Sequence, residues 1–201
     1  MLCTVKKGMA AFLAVCLICC AEETPKIQKV TDAEKAEIRA IADRAAGTLL
    51  KTLQTELLSA IQKEGVTGAI DVCRMRAIHL TDSLAGAMER VEKIKRTSTK
   101  IRNPLNRADR FERDALQYFA KKNGDPQIFS EVYIQKLSDQ AGTYYRYYKP
   151  LQVKALCLSC HGPRDAIDSD LAGQLAKNYP QDTATDYQID DFRGVISVTI
   201  R

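Results

Sequence analysis

Residues 157–162 read Cys-Leu-Ser-Cys-His-Gly, and this run constrains the fold more than any other stretch. Two cysteines separated by two residues can each form a thioether with one of the two vinyl groups of a haem. A histidine directly after the second cysteine then turns its imidazole to the iron. The motif occurs once, so one covalent haem c is expected, held by Cys157 and Cys160 with His161 as proximal ligand. Three other chemistries use the same residues. A thioredoxin-type CxxC follows a strand in a βαβ unit, and this motif sits too near the C-terminus for that. Cys157, Cys160 and His161 with Cys73 would make a zinc-binding Cys₃His set, although adjacent Cys160 and His161 are awkward ligands for one small ion. A disulfide between Cys157 and Cys160 is the third.

The other cysteines depend on what precedes the domain. Lys6 and Lys7 come before the uncharged run Gly8 to Cys20, which is followed by the polar stretch AEETPKIQK. A basic start, a short apolar core and a polar continuation mark an export signal. The core is shorter than the roughly 20 residues an ordinary membrane-spanning helix needs. Residues 1–20 are read as this signal and 21–30 as a linker. Leu17-Ile18-Cys19-Cys20 resembles a lipoprotein box that would leave Cys20 lipidated and the protein anchored to a membrane; ordinary cleavage near Ala21 is the alternative. Either places the domain in the periplasm or on the outer face of the cell envelope. Of seven cysteines, the exported domain then keeps Cys73, Cys157 and Cys160, an odd number for an oxidising compartment. Charges are interspersed and no basic run suggests nucleic-acid binding.

The residues leave the iron's other face open among Cys73, His79, Met75, Met88 and water. Core packing is the better reading for both methionines, and His79 divides evenly between ligation and an interfacial role. Cys73 is flanked by Arg74 and Arg76, whose charge would favour a thiolate.

Thr31 or Asp32 caps a helix running to about Lys63, with apolar residues from Ile38 to Ile61 at mixed three and four spacing. Gly65 ends it. A second helix runs from about Gly68 to Ala87 and carries Cys73. Residues 91–98 read as a strand. Pro104 breaks the chain, and a helix from about Asn106 reaches Lys122. Asn123 to Pro126 make a turn. The aromatic stretch 143–156 reads as a strand pair or one bent strand. A short helix ends at Pro180, and 194–200 is a final strand. Strands interrupted by helices in this way imply an α+β domain, residues 31–201, around an antiparallel sheet.

Four segments, AIDVC at 69–73, RTSTKIRNPLNRADRFERDAL at 96–116, CLSCHG at 157–162 and YPQDTATDYQIDDFRGVISV at 179–198, make the chain resemble a bacterial family of single-haem c-type cytochromes with a PAS-like haem domain. The resemblance spans about residues 35–201. It implies a PAS-like antiparallel sheet flanked by helices, with a long N-terminal helix and iron held between His161 and Cys73. It makes Arg96 and Arg102 candidates for holding the haem propionates, and Arg193 a residue at the haem edge. One departure is the RMRAIHL that follows Cys73, where the family often has proline, which keeps His79 as a rival.

Iron with both axial positions filled by protein leaves no place for a substrate, and no second catalytic constellation is visible, so a non-enzymatic role is expected. Electron transfer at low potential fits a thiolate opposite an imidazole. The alternative is a redox or gas sensor for nitric oxide or carbon monoxide, in which the thiolate leaves on reduction. The chain carries no output region, so a sensor would act through a separate signalling protein, and a carrier through an unidentified redox partner.

Overall fold

Thr31 opens the first helix by reciprocal capping. Its hydroxyl accepts from the Glu34 N–H at 3.3 Å, and Glu34 Oε2 accepts from the Thr31 N–H at 2.8 Å, which satisfies two of the donors a helix start leaves orphaned. Helix α1 covers Asp32–Asp71 and is broken at Gly65, where φ is +75° and ψ 177°. Glycine takes that conformation without a Cβ penalty, so the helical run ends and restarts at the predicted place. A π-turn, Val72–Arg76, then joins α1 to α2, Ala77–Gly86. The computed structural model describes residues 24–201, with Cys73 described by its backbone alone. The export signal at 1–20 and the lipidation of Cys20 fall outside the described residues.

Strand β2, Val91–Thr97, follows, and helix α3, Arg110–Ala120, starts later than its sequence suggests. Asp109 is its cap, paired reciprocally with Glu112, and the preceding residues include a 3₁₀ turn at Pro104–Asn106. Strands β3, Tyr133–Asp139, and β4, Gly142–Gln152, form a hairpin. The aromatic stretch is therefore a single strand, β4, that ends at Gln152, and its partner β3 lies outside the predicted stretch. Residues 21–30 are not wholly a linker: Lys26–Gln28 form a short strand, β1, paired with β3. After helix α4, Ala155–His161, and helix α5, Ser169–Asn178, strand β5, Phe192–Ile200, completes the sheet. The order is β1-β3-β4-β5-β2, antiparallel throughout. The fold is the expected α+β class, a PAS-like antiparallel sheet flanked by helices behind a long N-terminal helix.

Strand alternation sends neighbouring side chains to opposite faces, and Tyr147 and Tyr148 show it. Tyr147 packs with Ile94, Ile196, Val198 and Ile200 against Ile38, Ala42, Ala45, Ala46 and Leu49 of α1. The alanines let the helix backbone approach the sheet closely. Tyr147 also donates to Asp43 Oδ1 at 2.6 Å, and Lys149 Nζ reaches the same oxygen at 2.7 Å. Tyr148 joins Val195 under Ala115, Leu116 and Phe119 of α3. On that face Glu112, fully buried, accepts from Lys95 Nζ at 2.7 Å and from Arg146 at 3.1 Å. A charge buried so completely persists only because it is paired and hydrogen-bonded.

Glu34 also fastens α1 to the hairpin. Its Oε1 accepts from Lys136 Nζ and from the Tyr145 hydroxyl, both at 2.6 Å, and these two residues face each other across β3 and β4. The Lys136 ammonium first, then Thr31 and Tyr145, lower the carboxyl from 4.5 to about 2. A depressed carboxylate stabilises the folded state above its unfolded pKa and loses that contribution as pH falls through the folded one. Urea titrations of Glu34→Gln should give a lower midpoint than wild type at pH 7 and a shallower loss of midpoint between pH 4.5 and pH 2.

Candidate haem site

Helix α4 holds the motif. At 3.6 residues per turn, positions three and four apart share a face, so Cys157, Cys160 and His161 are presented on one side of a single turn. The Cys157 N–H bonds to the Lys154 carbonyl at 2.8 Å and the Lys154 N–H to Cys157 Sγ at 3.4 Å. Both cysteines are half-buried and unjoined. Among the described residues no three His, Cys, Asp or Glu side chains gather closely enough to hold a metal ion, so Cys157, Cys160 and His161 do not converge as a zinc set would. Gly162 caps the helix, and a Cβ there would meet the Leu158 carbonyl oxygen at 2.6 Å.

The segment 182–187 builds the wall behind the histidine. His161 Nδ1 lies 2.6 Å from the Ala184 carbonyl oxygen. Since a carbonyl only accepts, Nδ1 carries the proton and donates it, and Nε2 is left with its lone pair for a metal. The His161 and Gly162 carbonyls accept from the Tyr187 and Asp186 N–H groups at 3.1 and 2.9 Å. Asp186 has φ +61°, a left-handed backbone that aspartate tolerates better than most residues. Burial first, then the charges of Arg193, Arg102 and Arg96, push the His161 imidazole down from 6.5 to about 3. It is therefore neutral, the form that binds metal, across the ordinary pH range.

The three arginines predicted from the sequence thus gather around His161, with unequal roles. Arg102 is engaged by protein: its Nε donates to Asp182 Oδ2 at 2.8 Å and its Nη2 to the Cys160 carbonyl at 2.6 Å. Side chains of the Arg102–Asp182 pair are only 12% exposed. Asp182 in turn accepts from the Ala184 N–H at 2.8 Å, so one guanidinium ties the motif's second cysteine to the carbonyl that orients His161. Arg193 is half-buried, and its pKa is lowered, by desolvation first. It donates to the Lys100 carbonyl and the Tyr187 hydroxyl and stacks on the Tyr187 ring at 5.0 Å. No carboxylate among the described residues pairs with it. A half-buried cation in that state suits the carboxylates of an incoming cofactor. Arg96 lies on β2 opposite Ile196, on the α1 side of the sheet.

The opposing wall is the second half of α1. Val66 and Ile70 pack with Cys160, Ile167, Leu171, Leu175 and Tyr179, and Arg74 donates to Asn178 of α5 at 2.6 Å. Cys73 stands one turn beyond Ile70, inside the π-turn. Of the arginines that flank it, Arg74 reaches to Asn178 and Arg76 pairs with Glu56 at 2.8 Å. His79 is exposed. Met88 packs on the main core as expected, whereas Met75 is 54% exposed and not a core residue. The roles of Asp182, Ala184 and Tyr187 are absent from the sequence reading. A backbone carbonyl has no residue signature, and only the long segment 179–198 hinted at them.

The resident groups fit a haem: two cysteines not joined in a disulfide and a tautomer-fixed imidazole on one helix face, with cations beside them. A family model described as Tll0287-like, Tll0287, matches residues 27–201. The crystal structure of the cyanobacterial heme-protein Tll0287 superposes with a TM-score of 0.58 at 20% identity, covering 85% of this chain and 96% of that one; at this identity the likeness concerns the fold. No curated protein matches the chain. The match over nearly all of the described residues shows that the chain belongs to the Tll0287-like family.

Proposed function

We propose that the protein is a haem-binding, cytochrome-like electron carrier of the cell envelope, with one haem c covalently joined to Cys157 and Cys160. The observation that carries this reading is the His161 Nδ1–Ala184 bond at 2.6 Å, which fixes the tautomer of an imidazole placed one residue after a two-thiol attachment pair. Membership of a family whose solved relative is a heme-protein supports it.

A haem held there supplies one-electron chemistry between ferric and ferrous iron, at a potential that thiolate–imidazole ligation keeps below that of a Met/His site. The chain's own residues do the rest. His161 stays neutral and offers Nε2. Arg102 and Asp182 keep the C-terminal end of α4 and the 182–187 segment in one arrangement. Arg193 and Arg96 set a positive field suited to propionates. Cys73 is the distal ligand implied by the family resemblance, and Ile70, one turn before it, already packs against Cys160. If His161 and Cys73 both held the iron, no position on it would be left for a substrate, and the protein would serve as a carrier rather than an enzyme. We place it in the periplasm or on the outer face of the envelope, exported by residues 1–20 and anchored through Cys20, exchanging electrons with a protein partner.

One observation favours the sensor alternative. Cys73 sits in a π-turn, a departure from α-geometry that recurs at functional sites. A turn of this kind can release its ligand by relaxing to ordinary helix, and in the sensor such a release would signal to a separate protein.

Three outcomes are expected. Cys73→Ala, matured with cytochrome c assembly machinery beside wild type, should keep covalent pigment but lose the low-spin thiolate absorption signature; an unchanged spectrum would move the distal role to His79. Gly162→Ala forces its new methyl onto the Leu158 carbonyl and should cost about 2 kcal/mol of stability by denaturant titration. Arg102→Ala leaves Asp182 without its partner and should also cost about 2 kcal/mol, while covalent attachment persists.

A further inference from the structure

A cleft of about 510 Å³ opens between the loop that follows β2, helix α3 and the start of the 181–183 segment. It lies on the α3 side of the sheet, whereas Arg96 lies on the α1 side. Its lining includes Arg102 but neither His161, the motif cysteines, Arg96 nor Arg193. It is therefore a separate space that shares one side chain with the candidate haem site.

Its chemistry is one-sided. Arg102, Arg107 and Arg113 line it, and no aspartate or glutamate does. Arg102 is neutralised by Asp182. Arg107 and Arg113 have no ion-pair partner among the described residues; Arg113 is steadied by donating to the Ala108 carbonyl at 3.1 Å. Ile101 and Leu116 supply apolar surface between these charges, and Gln117 and Thr183 supply neutral polar groups. The walls are held in advance. Ile101 exchanges bonds with Thr183 at 3.0 and 3.1 Å. Thr97 donates to the Asn106 carbonyl at 2.7 Å, and Lys95 to the Arg107 carbonyl at 2.5 Å. Arg107 and Arg113 are exposed, and a cleft of this size, mixed apolar and polar and lined by arginines without carboxylates, has the composition of a small-molecule site. Guanidinium groups favour carboxylate and phosphate oxygens through planar paired bonds.

We propose that this cleft binds a small organic anion, a carboxylate or phosphate ester carrying an apolar body, with Arg107 and Arg113 as its anchors. The proposal goes beyond electron carriage and does not depend on it. Its occupant would sit against Arg102, the residue that grips the Cys160 carbonyl, and so next to the support of the attachment helix.

The test is isothermal titration of the mature holoprotein with phenyl phosphate and with benzoate, using benzyl alcohol as the neutral counterpart. One-to-one saturable binding of at least one of the two anions is expected, with no binding of the alcohol. Arg107→Gln/Arg113→Gln should weaken that binding at least tenfold, as loss of charge-assisted hydrogen bonds requires. Arg107→Lys/Arg113→Lys should bind more tightly than the glutamine pair, which separates lost charge from lost folding. Arg44→Gln, on an exposed position of α1, should change nothing. Failure of both anions to saturate, equal binding of benzyl alcohol, full binding by the glutamine pair, or an equal loss in Arg44→Gln would each overturn the proposal.

Discussion

An imidazole serves as a dependable metal ligand only when its second nitrogen is occupied. Here the Ala184 carbonyl occupies it, and much of the C-terminal third is organised around that bond. Asp182 positions Ala184 through its N–H, Arg102 fastens Asp182, and the same guanidinium holds the Cys160 carbonyl. The 186–187 backbone closes the circuit by bonding to the carbonyls of Gly162 and His161. Helix α4 is seven residues long, too short to be stable by its own hydrogen bonds. What holds it is this set of contacts with a distant segment of the chain.

The two faces of the sheet divide the work. Helix α1 covers one with an alanine-rich stripe, and its continuation past Gly65 reaches α5 and Cys160. That reach requires the break at Gly65, because a straight helix would carry residues 66–76 along its original axis. The other face is shielded by α3 over a buried charge cluster of Glu112, Lys95 and Arg146. The attachment motif is thus linked to the first face through α1 and to the second through the Arg102 segment.

Much of this was legible in the residues. A cap at Thr31 or Asp32 and the glycine at 65 marked the bounds of the first helical run, and β-branched residues in 194–200 marked the last strand. Strand β3 was missed because YIQKLSD interleaves charged and polar residues with few aliphatics, as a strand near the sheet edge does. The start of α3 was placed early because capping by Asp109 competes with the equally plausible Asn106. At the site, the thiols and His161 were visible because covalent chemistry demands a fixed spacing. Arg102 entered through the family resemblance as a candidate for holding propionates, but its work of gripping a backbone carbonyl was not legible, since tertiary bonds to main-chain atoms leave no pattern along the chain. Cys73 stands out as an odd thiol, whereas the partners of its flanking arginines, Asn178 and Glu56, leave no signal because they are distant in sequence.

The central claim is that Cys157 and Cys160 are joined to the cofactor by covalent bonds. The most direct measurement is denaturation of the matured protein, extraction with acidified acetone, and a haem peroxidase stain of the polypeptide on a gel. The account predicts that pigment stays with the wild-type chain and is lost from Cys157→Ser/Cys160→Ser. Pigment that washes out of wild type, or that remains on the double variant, would contradict it.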